Sequence, residues 1–177
     1  VLENIALGKY NASQIASFLT VFIMRNITLD ELIGFREALL SLCHKVNLSA
    51  YNPMDVCGTG GDGKNTFNIS TLTSFIVAGA GIPVAKHGNY GVSSVSGSSN
   101  VLESLGVVFP TDTSIIETQI KEANITFLHA PLFHPALKQV GSIRKNLAMR
   151  TFFNMLGPMA NPAHPSFQLV GDRKSVV

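Results

Sequence analysis

Three short stretches of this chain carry residue types suited to holding phosphate. The first, Gly58-Thr59-Gly60-Gly61-Asp62-Gly63, places four glycines in six residues. Such a loop lets the backbone approach a ligand closely and turn its amides toward an anion. A tight turn is the competing explanation. No Gly-Lys-Ser/Thr follows at Walker spacing, and the dinucleotide fingerprint does not fit either. The second stretch, Asn65-Thr66-Phe67-Asn68-Ile69-Ser70-Thr71, opens a predicted helix. Thr66, Asn68, Ser70 and Thr71 put hydroxyls, amides and free backbone N–H groups at a helix N-terminus, a ready anion site. Plain capping needs only one of them, so the four together favour a bound phosphate. The third runs from Lys86-His87-Gly88-Asn89 to Ser93-Ser94-Val95-Ser96-Gly97-Ser98-Ser99. Taken singly, Lys86 reads as a solvated charge, His87 as a satisfied loop residue and the serines as a linker. Following two other phosphate-suited loops, they suggest a ligand with more than one phosphate.

A fourth stretch, Phe127-Leu128-His129-Ala130-Pro131, leads into His134-Pro135 and a helix with the stripe Ala136, Val140, Ile143, Leu147. Arg144 lies at the edge of that stripe. Buried, its guanidinium needs a carboxylate or phosphate partner; snorkelling to the surface is the equal alternative. His134 reads as a cap or a core-edge histidine.

The elements that must position these residues fall into two parts. Residues 1–50 read as helices: Ile15, Phe18, Leu19, Phe22 and Ile23 recur at helical spacing behind a capping box of Asn11 and Gln14. Thr28 and Glu31 open a second helix with Leu32, Phe35, Leu39 and Leu42 on one face. Tyr51-Asn52-Pro53 is a turn signal and the predicted boundary. In residues 51–177 short apolar runs alternate with helical patterns. Strands are expected at Met54–Cys57, Pro83–Ala85 and Ile125–Leu128, and helices near 70–80 and 100–105 and from Asp112 to Ala123. The fold class is α/β: a small helical domain beside a mainly parallel sheet with helices on its faces. Loops after such strands lie at the carboxyl edge of the sheet, where ligands bind.

The composition narrows the function. The 177 residues are 46% hydrophobic and 14% charged, which argues against disorder. A net charge of +2 is too small for nucleic acid as the main partner, and no apolar run reaches the roughly 20 residues of a membrane helix. Glu3 and Asn4 interrupt any signal-like stretch. Cys43 and Cys57 are too few for a disulfide framework, so a reducing, cytoplasmic setting is expected. Val1 stands where Met would open a natural product, and the end at Val170-Gly171-Asp172 and beyond reads as a truncated α/β domain.

Together the segments resemble the anthranilate phosphoribosyltransferase family of tryptophan biosynthesis. The matching runs are 58–63, 65–71, Lys-His-Gly-Asn at 86–89, Ser-Gly-Ser at 96–98, His134-Pro135, Arg150 to Pro158 and Asn161-Pro162. The resemblance implies the fold of nucleoside phosphorylases and phosphoribosyltransferases, with the active site in the cleft between the domains. It implies 5-phosphoribosyl 1-pyrophosphate (PRPP) and anthranilate as substrates, Mg²⁺ as cofactor and a homodimer. By the family pattern Gly58, Gly61, Asp62, Thr66, Asn68, Ser70, Thr71, Lys86, His87, Gly88, Asn89, Ser93, Ser94 and Ser98 hold PRPP. Ser70 also meets the metal, and Gly58, Asn89 and Arg144 meet anthranilate. No catalytic base is assigned, because an arylamine is already neutral. The chain departs from the pattern at Tyr90, where the family usually has arginine, and at Asn100, where it usually has aspartate. The family's paired acidic residues for a second Mg²⁺ belong to a later half, so the chain alone is expected to have little activity. A pyrimidine nucleoside phosphorylase and a non-catalytic nucleic-acid-binding relative are the rival readings.

Overall fold

The computed structural model describes residues 1–59, 67–91 and 96–171. Three helices come first: α1 (Leu2–Ala6), α2 (Ala12–Met24) and α3 (Leu29–Leu42). Both expected capping boxes form. Gln14 N donates to Asn11 Oδ1 at 2.9 Å and Asn11 N to Gln14 Oε1 at 3.0 Å. Glu31 N donates to Thr28 Oγ1 at 3.3 Å and Thr28 N to Glu31 Oε2 at 3.0 Å.

After a short 3₁₀ turn the chain alternates: β1 (Met54–Gly58), α4 (Ile69–Gly79), β2 (Val84–Gly88), α5 (Ser98–Ser104), α6 (Thr113–Ala123) and β3 (Ile125–His129). Then follow α7 (Ala130–Phe133), α8 (Pro135–Leu147), α9 (Phe153–Leu156) and β4 (Phe167–Gly171). Asp112 caps α6 by accepting from Ser114 N at 2.8 Å. Asn124 and Ala148 end α6 and α8 in the left-handed region; asparagine adopts it more readily than alanine.

The described sheet has the order β3-β2-β1-β4 and every pair is parallel. Gly58 is in register with Gly171, and Gly88 with His129. The carboxyl ends therefore share one edge, which brings the loops after β1 and β2 together. Strand β2 is longer than expected: Lys86, His87 and Gly88 lie within it, not in the following loop. The reason is non-local, because Lys86 Nζ donates to Val56 O and His87 N donates to Asp55 Oδ1 at 3.1 Å. A lysine inside a buried strand needs such partners, and they come from a segment 30 residues away.

Three cores hold these parts. The largest joins Leu2, Ile5, Ile15, Leu19 and Leu39 with Ala136, Leu137, Val140, Phe152, Phe153 and Leu156. It thus draws on both sides of the division at residue 50. Phe18, Phe22, Phe35 and Phe152 pack edge-to-face or stacked with ring centroids 4.6–6.0 Å apart, a favoured geometry. A second core seats α6 on the sheet through Ala85, Ile116, Ile120, Leu128 and Phe133. A third joins α4 to the opposite face through Val56, Ala78 and Val84. Strand β4 is exposed along its whole length. No helix among the described residues is long and apolar enough to cross a membrane.

Candidate active site

A cleft of about 250 Å³ opens at the shared carboxyl edge, between the strand ends and the helices α8 and α9. Of the residues singled out in the sequence, Gly58, Asn68, Ser70, Lys86, His87, Gly88, Asn89, Ser98 and Arg144 line it. Thr71 does not: it is buried in α4, with a side-chain oxygen that has no partner. Gly61, Asp62, Thr66, Ser93 and Ser94 lie outside the described residues.

One wall of the cleft is made of backbone and small side chains. Gly58 and Gly88 end their strands, and Ser98 opens α5 with its hydroxyl donating to Asn89 O at 3.4 Å. A Cβ on Gly88 would stand 2.3 Å from Ser98 Oγ, so any side chain there would displace that hydroxyl. Asn68 precedes α4 without capping it; its Nδ2 reaches across to donate to Gly97 O at 3.3 Å. Lys86 is 2% exposed, and its ammonium also lies 3.4 Å from Ser70 Oγ. Burial lowers its pKa, with Asp55 and Cys57 opposing that shift.

The opposite wall is built around one buried cation. Arg144, only 6% exposed, lies inside the packed stripe of α8 and does not snorkel. One terminal nitrogen donates to Asn154 Oδ1 at 3.2 Å, and the guanidinium carbon sits 5.4 Å above the ring of Phe153. Its Nε is buried with no partner, and no carboxylate pairs with it among the described residues. Burial pulls its pKa down, yet a guanidinium stays charged in proteins. A buried cation left this open suits an anionic ligand.

His87, which lines the cleft, faces the buried His134 with ring centroids 5.1 Å apart. His87 Nδ1 donates to Gly157 O at 3.1 Å and His134 Nε2 to Ala160 O at 2.8 Å. Burial, above all else, holds both down to about 4, so they are neutral imidazoles. Cys57 also lines the cleft, but burial pushes its thiol up to about 12, which leaves it un-ionised and a poor nucleophile.

Residue type and spacing do not single out several other contributors. Asn154, Phe153, Gly157 and Pro158 line the cleft, and Asn154 also accepts from Thr151 N at 3.1 Å. Their run at 150–158 carries the resemblance but suggests no role by residue type. Asp55 is fully buried. It accepts from His87 N and, at 3.2 Å, from Gln168 Nε2, tying β1 to β2 and β4. Asn161 Nδ2 donates to Ala85 O at 2.8 Å. No periodicity marks such cross-chain ties.

Among the described residues a magnesium ion finds few protein ligands at this site. No group of three or more His, Cys, Asp or Glu side chains among the described residues could hold a metal. Ser70, a neutral hydroxyl in the first turn of α4 beside an ammonium, can contribute one ligand at most. That donor set matches Mg²⁺ that arrives on a phosphate and keeps most of its waters.

The chain is similar to known proteins along nearly its whole length. Residues 50–175 match the model for the a/b domain of a glycosyl transferase family, and residues 1–43 match that family's helical bundle domain. An anthranilate phosphoribosyltransferase of Flavobacterium johnsoniae is 69% identical over 171 residues, covering 97% of this chain and 52% of the relative. The anthranilate phosphoribosyltransferase of Thermus thermophilus superposes with a TM-score of 0.84 at 34% identity, over 96% of this chain and 52% of that one. The Saccharomyces cerevisiae enzyme of the same name, in complex with PRPP and Mg, gives 0.80 at 32% identity, over 90% and 46%. The chain thus spans about half the length of the relatives it matches. With both domain models matched in order, the chain belongs to this glycosyl transferase family; the cleft is lined by residues of the a/b part alone.

Proposed function

We propose that the cleft serves transfer of the phosphoribosyl group from PRPP to the amine of anthranilate, with release of pyrophosphate. The observation that carries the reading is Arg144, a buried guanidinium with an unpartnered Nε, placed across one cleft from a wall of strand-end glycines, Ser98 and Lys86. The cation answers the carboxylate of anthranilate, and the opposite wall answers the phosphates. The relatives' names and the yeast complex with PRPP and Mg support the same assignment.

In this reading the amine nitrogen forms a bond to the anomeric carbon as the bond to pyrophosphate oxygen breaks, and the amine proton passes to solvent. Lys86, the helix start at Ser70 and the glycine-edged strand ends hold the phosphates where charge grows. Gly61, Asp62, Thr66, Ser93 and Ser94 are proposed to complete that hold. Arg144 and Asn89 aim the amine, so positioning supplies much of the rate. His87 and His134 are neutral and hydrogen-bonded to backbone, which agrees with a reaction needing no strong base. Bound with the diphosphate, Mg²⁺ offsets the charge of the leaving group. A homodimer and a cytoplasmic setting belong to the same proposal.

The test joins this chain to the C-terminal half of the Flavobacterium relative and follows anthranilate fluorescence. Loss of signal that requires both PRPP and Mg²⁺ is expected, with little loss from the 177-residue chain alone. Cleavage of thymidine by phosphate, with anthranilate untouched, would move the protein to the nucleoside phosphorylases.

A further inference from the structure

A hydrogen-bonded strut at the mouth of the cleft has a part that capping alone does not explain. Asn100 Oδ1 accepts from two backbone amides, Gly97 N at 2.9 Å and Gly91 N at 3.0 Å. Gly97 N is the N-cap amide of α5, which the side chain three residues on commonly satisfies. Gly91 N belongs to the chain leaving β2, and no helix needs it satisfied. The two backbones touch so closely that a Cβ on Gly97 would stand 2.3 Å from Gly91 N and 2.5 Å from Asn89 O. Gly97 O in turn accepts from Asn68 Nδ2, and Ser99 N donates to Asn89 O at 3.2 Å. The series of ties therefore runs from the start of α4, through Gly97 and Asn100, to the end of β2.

We infer that Asn100 is a positioning residue: its single amide oxygen fixes the backbone of Gly91 and Gly97, and so sets Asn68, Asn89 and Ser98 at the spacing a diphosphate-bearing ligand needs. Asn100 itself does not line the cleft, so it acts through these neighbours. The inference rests on the phosphoribosyl reading and deepens it. An oxygen acceptor is the requirement, and aspartate has one in the same place. Losing two hydrogen bonds to a pre-set wall lowers affinity by about tenfold.

The experiment is isothermal titration of Mg²⁺·PRPP into the chain joined to the C-terminal half of the Flavobacterium relative, as parent, and into its Asn100→Ala and Asn100→Asp variants, with amide hydrogen exchange at Gly91 and Gly97. Asn100→Ala is expected to bind about tenfold more weakly and to expose both amides, while its circular dichroism stays that of the parent. Asn100→Asp is expected to keep both amides protected and to lie closer to the parent. If Asn100→Ala loses helix, Gly97→Ala, which parts the same two backbones, is read in its place and is expected to bind at least as weakly. A parent that binds with Asn100→Ala binding equally well overturns this inference alone. A parent that does not bind PRPP overturns it together with the phosphoribosyl reading.

Discussion

The two walls of the cleft are built on different principles. The sheet-edge wall is mostly main chain: Gly58, Gly88, Gly97 and Ser98 present to the cleft groups that every residue possesses, and their side chains matter by being small. The helical wall concentrates its chemistry in one side chain, Arg144, held by Asn154 and Phe153. A distributed wall tolerates loss of any one hydrogen-bonding group and fails through steric intrusion. A concentrated wall fails when its cation goes. The difference matches the ligands proposed for each: a diphosphate has many oxygens to share among many donors, whereas a benzoate carboxylate has two.

Breaking the concentrated wall is expected to have the largest effect. Arg144→Ala should lower kcat/KM for anthranilate about a hundredfold in the chain joined to the relative's second half, with PRPP affinity little changed. Arg144→Lys should not restore it, since a point charge lacks the planar fork. Steady-state kinetics with each substrate varied in turn separates the two. Intruding on the distributed wall comes next. Gly88→Ala puts a Cβ against Ser98 Oγ and should weaken PRPP binding about thirtyfold, by titration calorimetry, with the anthranilate side spared.

The buried pair His87 and His134 gives a pH signature. Burial holds His87 and His134 at about 4 against an ordinary 6.5, so between those values the unfolded chain binds more protons than the folded one. Stability is therefore full above about 6.5 and falls as pH drops toward 4, by about 1 kcal/mol per histidine between about pH 7 and about pH 5.5. Urea titrations across that range test it, and His134→Gln should reduce the slope. The smallest effect is expected at Asn154→Ala, which removes one anchor of Arg144 and leaves the charge: about a threefold rise in KM for anthranilate.

What the sequence discloses and what it hides divide along a related line. Local signals are legible: the boxes at Asn11–Gln14 and Thr28–Glu31, the cap at Asp112, and the alternation of apolar runs that implies a parallel sheet. Each is written within a few residues. Lys86 and His87 read as loop residues because charge usually ends a strand, and only Val56 and Asp55, from another strand, make them fit inside one. Arg144 stands between burial and exposure in the sequence for the same reason: its fate depends on Phe152 and Phe153 covering α8 alongside the first three helices. The ties of Asp55, Asn161 and Gln168 are wholly non-local. Asn100 stands out only as a departure from the family pattern, and its second acceptor role needs the return of the chain to Gly91.

The most direct test of the two-wall account is backbone and arginine side-chain NMR of the isotope-labelled chain, titrated first with Mg²⁺·PRPP and then with anthranilate. The account predicts that PRPP shifts the amides of Gly58, Gly88 and Ser98, while anthranilate shifts those of Phe153 and Asn154 and the Nε–H of Arg144. Both ligands moving the same amides, or anthranilate leaving Arg144 untouched, would contradict it.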